Sequence, residues 1–320
     1  MLRILHDTKY DFIRWWRTAV VLTVLFIAFG LISLVIKGGF EYSIEFTGGT
    51  SMQLVFNKPP NVAALRAALE SGKVKEPQIQ QFGDDTTYSV RAQDAGTAGG
   101  AEVVSREVNA AVASVVGKDN FRVASTEAVG PRVGSELRRG AILAILISFG
   151  VTLLYLAWRF EWRFGLAAVI ATAHDILTTI AFMKIMHMEI SLTIIAALLT
   201  VIGYSLNDTI IIFDRVRENL RKNRREALYD TLNRAVNETL PRSILTHATA
   251  LAATLALLFF AGPVIRPFAY VMAFGIITGT FSSIYVASPI LLWIESKYPR
   301  STDPKGAKPS AVGMRAAKTA

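Results

Sequence analysis

Two acids and an arginine stand where such side chains are expensive. Asp208 lies inside the apolar run 190–213, six residues before Asp214, so on a helix it sits about 9 Å inward of the aspartate that ends the run. Asp175, with His174 beside it, follows Phe164 by eleven residues in another apolar run, about 16 Å in and near the middle of a bilayer. Arg242 opens a later run at a depth comparable to that of Asp208, and Thr246 and Thr249 follow one and two turns on. An ionisable group in hydrocarbon costs roughly 2.5–3.5 kcal/mol on insertion scales, so it is kept for a purpose.

Three chemistries suit this set. The acids can lock helices together through an ion pair or hydrogen bonds. They can share a proton and activate water, as in an intramembrane aspartyl protease. Or Asp208 can load and unload a proton with Arg242 as the biasing charge, a proton relay. The protease needs a second aspartate in a glycine-rich helix break, which the sequence lacks. The relay fits Asp208 and Arg242 best, whereas Asp175 and His174 stand as relay or structural groups.

The elements that must hold these residues are membrane helices. The chain has 320 residues, 52% of them apolar, arranged in blocks. Runs of a length that spans a bilayer occur at 18–36, 140–158, 164–186, 190–213, 243–262 and 268–294. The expected protein is a polytopic α-helical membrane protein with six transmembrane helices. Residues 1–17 precede span one at 18–37, residues 38–137 form a domain outside the membrane, and residues 138–294 hold spans two to six with a basic connection at 214–242. Residues 295–320 are a basic tail. The MKIMHMEI stretch, with Lys184, His187 and Glu189, must turn tightly at the surface between spans three and four.

Arginine and lysine crowd one side of this layout: Arg3, Lys9, Arg14 and Arg17 before span one, Arg159 and Arg163 between spans two and three, and Arg215 to Arg242 after span four. The positive-inside rule then puts both termini in the cytoplasm. Topology, helped by anionic lipid, accounts for the net charge of +9 with no call for nucleic acid. The absence of cysteine excludes disulfides and thiolate chemistry, and four scattered histidines hold no zinc. Nothing in the chain marks an enzyme, a metal or an organic cofactor. The connection carries Leu228, Leu232, Val236 and Leu240 at helical spacing, expected as an amphipathic helix on the inner membrane surface.

The outer domain shows strand TSMQLVF, helix NVAALRAALESG with Asn61 as N-cap, strands PQIQQFG and TTYSVRAQ, helix AEVVSREVNAAVASVVG and strand FRVASTEAV. That order, β-α-β-β-α-β, is the split βαβ of a ferredoxin-like α+β domain. DAGTAGG at 94–100 is a flexible loop. Two flanking motifs are expected hinges between domain and membrane: EFTGGT, with Phe46, Gly48 and Gly49, and VGPRVGSELRRG, with Gly130, Pro131 and Gly134. In span six, GIITG at 275–279 is a packing face that continues through Ser282 and Ser283.

Together EFTGGT, VGPRVGSELRRGA, AHDILTT, VIGYSLNDTIIIFDRVRENLR and LPRSILTHATALAATLALLFFAG resemble, over residues 40–293, the SecF family of the bacterial protein-export machinery. The resemblance implies an RND-type half-bundle with a periplasmic ferredoxin-like domain in the bacterial inner membrane, paired with SecD beside a SecY-type channel. It implies use of the proton motive force, with H⁺ as the coupling ion, to promote late steps in the translocation of unfolded preproteins. By motif it places the SLND aspartate, Asp208, the PRSILT arginine, Arg242, and Thr246 on the proton path. Two other expectations share the helix logic: a proton-coupled small-molecule or lipid exporter of the same superfamily, and a non-conducting scaffold.

Overall fold

The computed structural model describes residues 8–36, 38–72, 74–75, 77–82, 84–93, 100–223, 226–262 and 264–299. The expectations placed on Arg3, on the 94–99 part of the glycine-rich loop, on Arg224 and Arg225, and on the tail beyond Pro299 lie outside these residues.

After a short turn at Ile13–Trp15, the first apolar run forms α1 (Trp16–Ile36), with no proline to interrupt it. A one-turn helix, α2 (Ile44–Thr47), leads through Gly48 and Gly49 into β1 (Gly49–Phe56). Both glycines have positive φ, 75° and 123°, and a Cβ on Gly49 would lie 2.7 Å from the Ala92 carbonyl oxygen. Only glycine meets both demands. There follow α3 (Val62–Ser71), β2 (Gln78–Gln81), β3 (Thr87–Ala92), α4 (Gly100–Val116) and β4 (Phe121–Val129). Asn61 caps α3 by accepting from the amides of Ala63 and Ala64 at 3.1 and 3.2 Å.

The sheet runs β2-β3-β1-β4, antiparallel throughout, as a split βαβ requires. Alternation along β1 and β3 sends Met52, Leu54, Phe56, Tyr88 and Val90 to one face, against Leu65 and Leu69 of α3 and Val104, Val108 and Val112 of α4. The other face carries Ser51, Gln53, Ser89, Arg91, Ser125 and Glu127 and looks onto the bundle across a cleft of about 400 Å³.

The bundle continues with α5 (Pro131–Arg159), α6 (Trp162–Ile185), α7 (Leu192–Lys222) and α8 (Leu228–Phe260). The last span is α9 (Arg266–Ser282), a π-turn at Ser283–Ala287, and α10 (Ser288–Lys297). The six spans have the length and apolar content to cross a bilayer. Helices α6, α7 and α9 form the centre, whereas α1 and α5 leave Leu22, Leu25, Phe29, Leu146, Ile147 and Leu154 exposed, as lipid-facing or partner-facing helices do.

Two expectations change here. The VGPRVGSELRRG motif is not an extended linker: the helix of span two begins at Pro131, where the missing N–H costs nothing. Gly134, one turn in, lies against the glycine motif, and a Cβ there would be 3.0 Å from the Gly48 nitrogen and 3.2 Å from the Phe46 carbonyl oxygen. Phe46 is itself buried. Gly134, Phe46 and Gly48 therefore make a close contact, whereas a Cβ on Gly130 would meet nothing within 4 Å. Nor does the basic connection form a separate surface helix. Helices α7 and α8 run straight on past the span ends, and Leu232, Ala235 and Val236 are buried in one core with Phe164, Phe213 and Val216. Core burial outcompetes the membrane surface for that apolar stripe.

The domain is fastened to the α6–α7 loop. The amide of Ser43 donates to the Ile190 carbonyl at 2.9 Å, and the amide of Ile190 to the Glu41 carbonyl at 2.8 Å. A carboxylate oxygen of Glu45 accepts from the Leu192 amide at 2.6 Å, capping α7 from another part of the chain, where the helix dipole favours a negative group. Arg91 forms an ion pair with Glu189 and donates to the Tyr42 carbonyl at 3.3 Å. Lys184 Nζ donates to the Gly39 carbonyl at 2.5 Å.

Burial pushes Arg91 down to about 10, against the pull of Glu41 and Glu45, which raise it. A base lowered in the folded state bears its burial cost in full below the folded value and is relieved only as pH rises above it. Between pH 6 and 9, then, Arg91 stays charged and adds no pH dependence to the joint. Removing its charge leaves Glu189 unpaired. Arg91→Met is expected to weaken the joint by about 1–3 kcal/mol, read as roughly tenfold or faster hydrogen exchange at the Ile190 and Leu192 amides, with the same ratio across that pH range.

Candidate functional site

Asp208 and Asp175 are buried in the bundle centre, 3% and 2% exposed. Their burial follows from how closely α7 and α9 approach. A Cβ on Gly275 would lie 2.3 Å from a methyl of Val201, and one on Gly279 would lie 3.0 Å from the Ser205 Cβ. The small-residue face anticipated in span six is therefore the contact with α7. It brings the end of α9 within hydroxyl reach of both acids.

Asp208, on α7, accepts from Ser243 Oγ of α8 at 2.5 Å and from Ser283 Oγ at 2.9 Å. Asp175, on α6, accepts from Ser205 Oγ of α7 and from Ser282 Oγ of α9 at 2.7 Å. His174 Nδ1 lies 3.0 Å from the other Asp175 oxygen. Thr179 Oγ1 turns to the Asp175 backbone carbonyl at 2.7 Å and leaves the carboxylate to the serines.

Hydroxyl bonds to a charged carboxylate contribute roughly 1.5–3 kcal/mol each. Desolvating the charge costs several kcal/mol. No salt bridge to Asp208 occurs among the described residues, so hydroxyls alone hold it, and taking up a proton removes the charge altogether. Neither carboxyl is open to a peptide in this conformation.

Two irregularities flank Asp208. Pro241 lies inside α8, two residues before Ser243, and deprives the Asn237 carbonyl of its helical donor. Ser283 opens the π-turn, whose carbonyl at Ser283 accepts from Ser288 Oγ at 3.0 Å. Single π-turns recur at functional sites. Ser283, which opens this one, is the residue of the last span that meets Asp208.

The structure brings Asp208, Asp175 and His174 into the centre and leaves the other two expected relay residues outside it. Arg242 and Thr246 lie on an exposed face of α8, and no ion pair joins Arg242 to Asp208 among the described residues. The sequence-based expectation of that pairing is corrected on this point: the residue of α8 that meets Asp208 is Ser243, the neighbour of Arg242. Tyr204 Oη donates to the Thr246 carbonyl at 3.1 Å, joining the exposed faces of α7 and α8. Sequence reasoning missed Ser205, Ser243, Ser282 and Ser283 as partners of the acids. The serines stand near the motifs singled out above, but nothing in the sequence says which carboxylate each one meets: the serine of SLND bonds Asp175 rather than the aspartate three residues after it.

Comparison with known proteins follows this geometry. A family model described as protein export membrane protein SecD/SecF, C-terminal, matches residues 108–297. The chain is 57% identical to a protein translocase subunit SecF of Gemmatimonas aurantiaca, covering 100% of this chain and 97% of that one. It is 38% identical to a protein translocase subunit SecF of Escherichia coli O157:H7, covering 91% and 90%. Among solved structures, the crystal structure of SecDF, a translocon-associated membrane protein from Thermus thermophilus, matches with a TM-score of 0.82 and 36% identity over 92% of this chain and 40% of that one. SecDF in its super-membrane-facing form gives 0.66 at 34% identity, over 98% and 41%. The chain thus spans about two fifths of the SecDF chains.

If hydroxyls hold the buried acid, their loss is costly even without transport. Ser243→Ala and Ser283→Ala are each expected to lower stability in detergent by about 1–3 kcal/mol, measured by thermal unfolding. Ser296→Ala, at an exposed position, should leave the melting temperature unchanged.

Proposed function

The chain belongs to the SecD/SecF family of protein-export membrane proteins, and from that premise we propose that it is a SecF-type subunit coupling the proton motive force to late steps of preprotein translocation. Its partners are a SecD-type subunit and a SecY-type channel in the bacterial inner membrane, and H⁺ is the coupling ion. Both termini face the cytoplasm, in keeping with the basic clusters at 9–17, 159–163 and 215–242, and the sheet domain faces the periplasm.

One observation carries this reading: a carboxylate, Asp208, lies in the centre of a membrane bundle and is met by serine hydroxyls. When it takes a proton from the outer side, the charge that draws Ser243 and Ser283 disappears. Helix α8 is then free to shift at Pro241 and the last span at its π-turn. Helix α7 carries the acid at one level and, at its N-terminus, the Leu192 amide held by Glu45, so a shift of α7 is delivered to the domain directly. Release of the proton inward restores the charge and the grip.

Arg242 and Thr246 act from the outside of this half-bundle. A cation and hydroxyls on the exposed face of a membrane helix need cover from protein or water, and a SecD-type partner is the protein that would supply it. Arg242 therefore answers an acid of the SecD half.

The experiment is gradient-driven export in membrane vesicles containing the whole complex. Asp208→Asn keeps the shape, accepting from one serine through its carbonyl oxygen and donating to the other through its amide, yet it cannot ionise. It is expected to reduce gradient-dependent completion of translocation at least tenfold while the assembled complex is retained. Normal completion by that variant would leave only a scaffold.

A further inference from the structure

Asp175 has no part in the cycle just described, yet its setting is built to the same plan as that of Asp208. Each acid accepts one hydroxyl from the next span, Ser205 of α7 for Asp175 and Ser243 of α8 for Asp208. Each accepts a second from the last span, Ser282 for Asp175 and Ser283 for Asp208. The two settings share their supports. Ser205 and Asp208 stand three residues apart on α7, with Cβ atoms about 5–6 Å apart, and Ser282 and Ser283 are consecutive.

The serines of the last span can each serve two acceptors with one hydrogen. Ser282 Oγ lies 2.7 Å from the Asp175 carboxylate and 3.2 Å from the Gly279 carbonyl. Ser283 Oγ lies 2.9 Å from the Asp208 carboxylate and 2.9 Å from the Thr280 carbonyl. Facing an ionised acid, the serine donates to it. Facing a protonated acid, the serine oxygen accepts the acid's O–H and its own hydrogen turns to the helix carbonyl. Both protonation states are thus fully bonded. A permanent lock would need only the first.

The two serines also straddle a structural boundary, Ser282 being the last residue of α9 and Ser283 the first of the π-turn. A π-turn holds one residue more per bond than the helix around it, so a local change of register turns one serine relative to the other.

We propose that Asp175 is a second proton-carrying carboxylate, coupled to Asp208 through Ser282 and Ser283 across this α-to-π boundary. This rests on the reading of Asp208 as the proton carrier. The acids lie about 10 Å apart, linked through Ser205 on α7 and through the adjacent Ser282 and Ser283. The other ionisable group that bears on Asp175 is His174, at 3.0 Å. Charged groups on the elements packed against α6 are engaged at the membrane ends: Arg159 with Asp214, Arg163 with Glu295 and Lys184 with the Gly39 carbonyl. Arg17 stands at the start of α1.

The test is the pH profile of gradient-driven export by the assembled complex in vesicles, for Asp175→Asn, Ser282→Ala, Asp208→Asn and the double aspartate variant. Asp175→Asn is expected to shift the midpoint of the profile by about one unit or more, and Ser282→Ala to shift it in the same direction by less. The double variant should be no worse than Asp208→Asn alone, as for residues acting as a unit. A wild-type midpoint in both Asp175→Asn and Ser282→Ala, with Asp208→Asn inactive, overturns this inference and spares the Asp208 reading. Normal export by Asp208→Asn overturns that reading instead, and this one with it. If Asp175→Asn does not assemble, Ser282→Ala decides by its midpoint. Failure of both to assemble makes Asp175 a lock between helices and overturns the proposal.

Discussion

A carboxylate in the centre of a membrane bundle must be bonded, and bonded from several helices at once, because no single helix can surround it. That requirement organises the molecule. Asp175 draws together α6, α7 and α9; Asp208 draws together α7, α8 and the π-turn. Helix α7 belongs to both sets, as does the last span, which supplies Ser282 and Ser283. The close approach of α9 at Gly275 and Gly279 is the packing counterpart of this bonding, for a larger side chain at either position would hold Ser282 and Ser283 away from their acceptors. Polar bonding and small-residue packing specify the same helix pair, and agreement of this kind between levels is what makes a fold unique.

The same helix explains how a change at the centre can reach the outer domain without a loose linker. Helix α7 is continuous from Leu192, held by Glu45, to Asp208 and beyond. The loop ahead of it is bonded on both sides of Ile190 to the strand-like segment at Glu41 and Ser43. On the same one-turn helix α2, the Phe46–Gly48 turn packs on Gly134 at the start of α5. The domain therefore has two attachments that meet at α2, one to the helix that carries the acid and one to a peripheral span. Under the proposed function, displacement of one relative to the other would move the sheet, and the open cleft beneath it gives that movement room.

How much of this was legible in the sequence depends on whether the signal was local. The spans, the order of the outer domain and the boundaries of β4 at Phe121 and Val129 follow from periodicity and turn residues, each read within a dozen positions. Asp208 and Asp175 stood out because charge in an apolar run is conspicuous. What holds them was not legible: serine is common in membrane helices, and its partner is fixed by helix rotation and depth. The expected pairing of Arg242 with Asp208 failed for this reason, since depth alone matched them and a rotation of one residue put Ser243 in the arginine's place. The basic connection misled in another way. Its apolar stripe was correctly seen, but a stripe does not say whether lipid or protein covers it, and Leu232 and Val236 chose the protein core.

The rotation that takes Arg242 away from Asp208 has a physical consequence of its own. Ser243 lies at the depth of Asp208, because the two are bonded, so Arg242 beside it lies at that depth too, on a face this chain leaves exposed. Thr246 and Thr249 continue the exposed stripe along α8, and Asn207, next to the acid, is exposed on α7. A guanidinium in hydrocarbon without protein or water around it is too costly to keep. The stripe therefore calls for cover from protein or water. The buried acid and the exposed cation lie on opposite sides of one helix boundary, where α8 meets α7. Under the proposed function, a proton at Asp208 would change the field felt by Arg242 through that boundary, so an electrostatic link between them would need no direct bond.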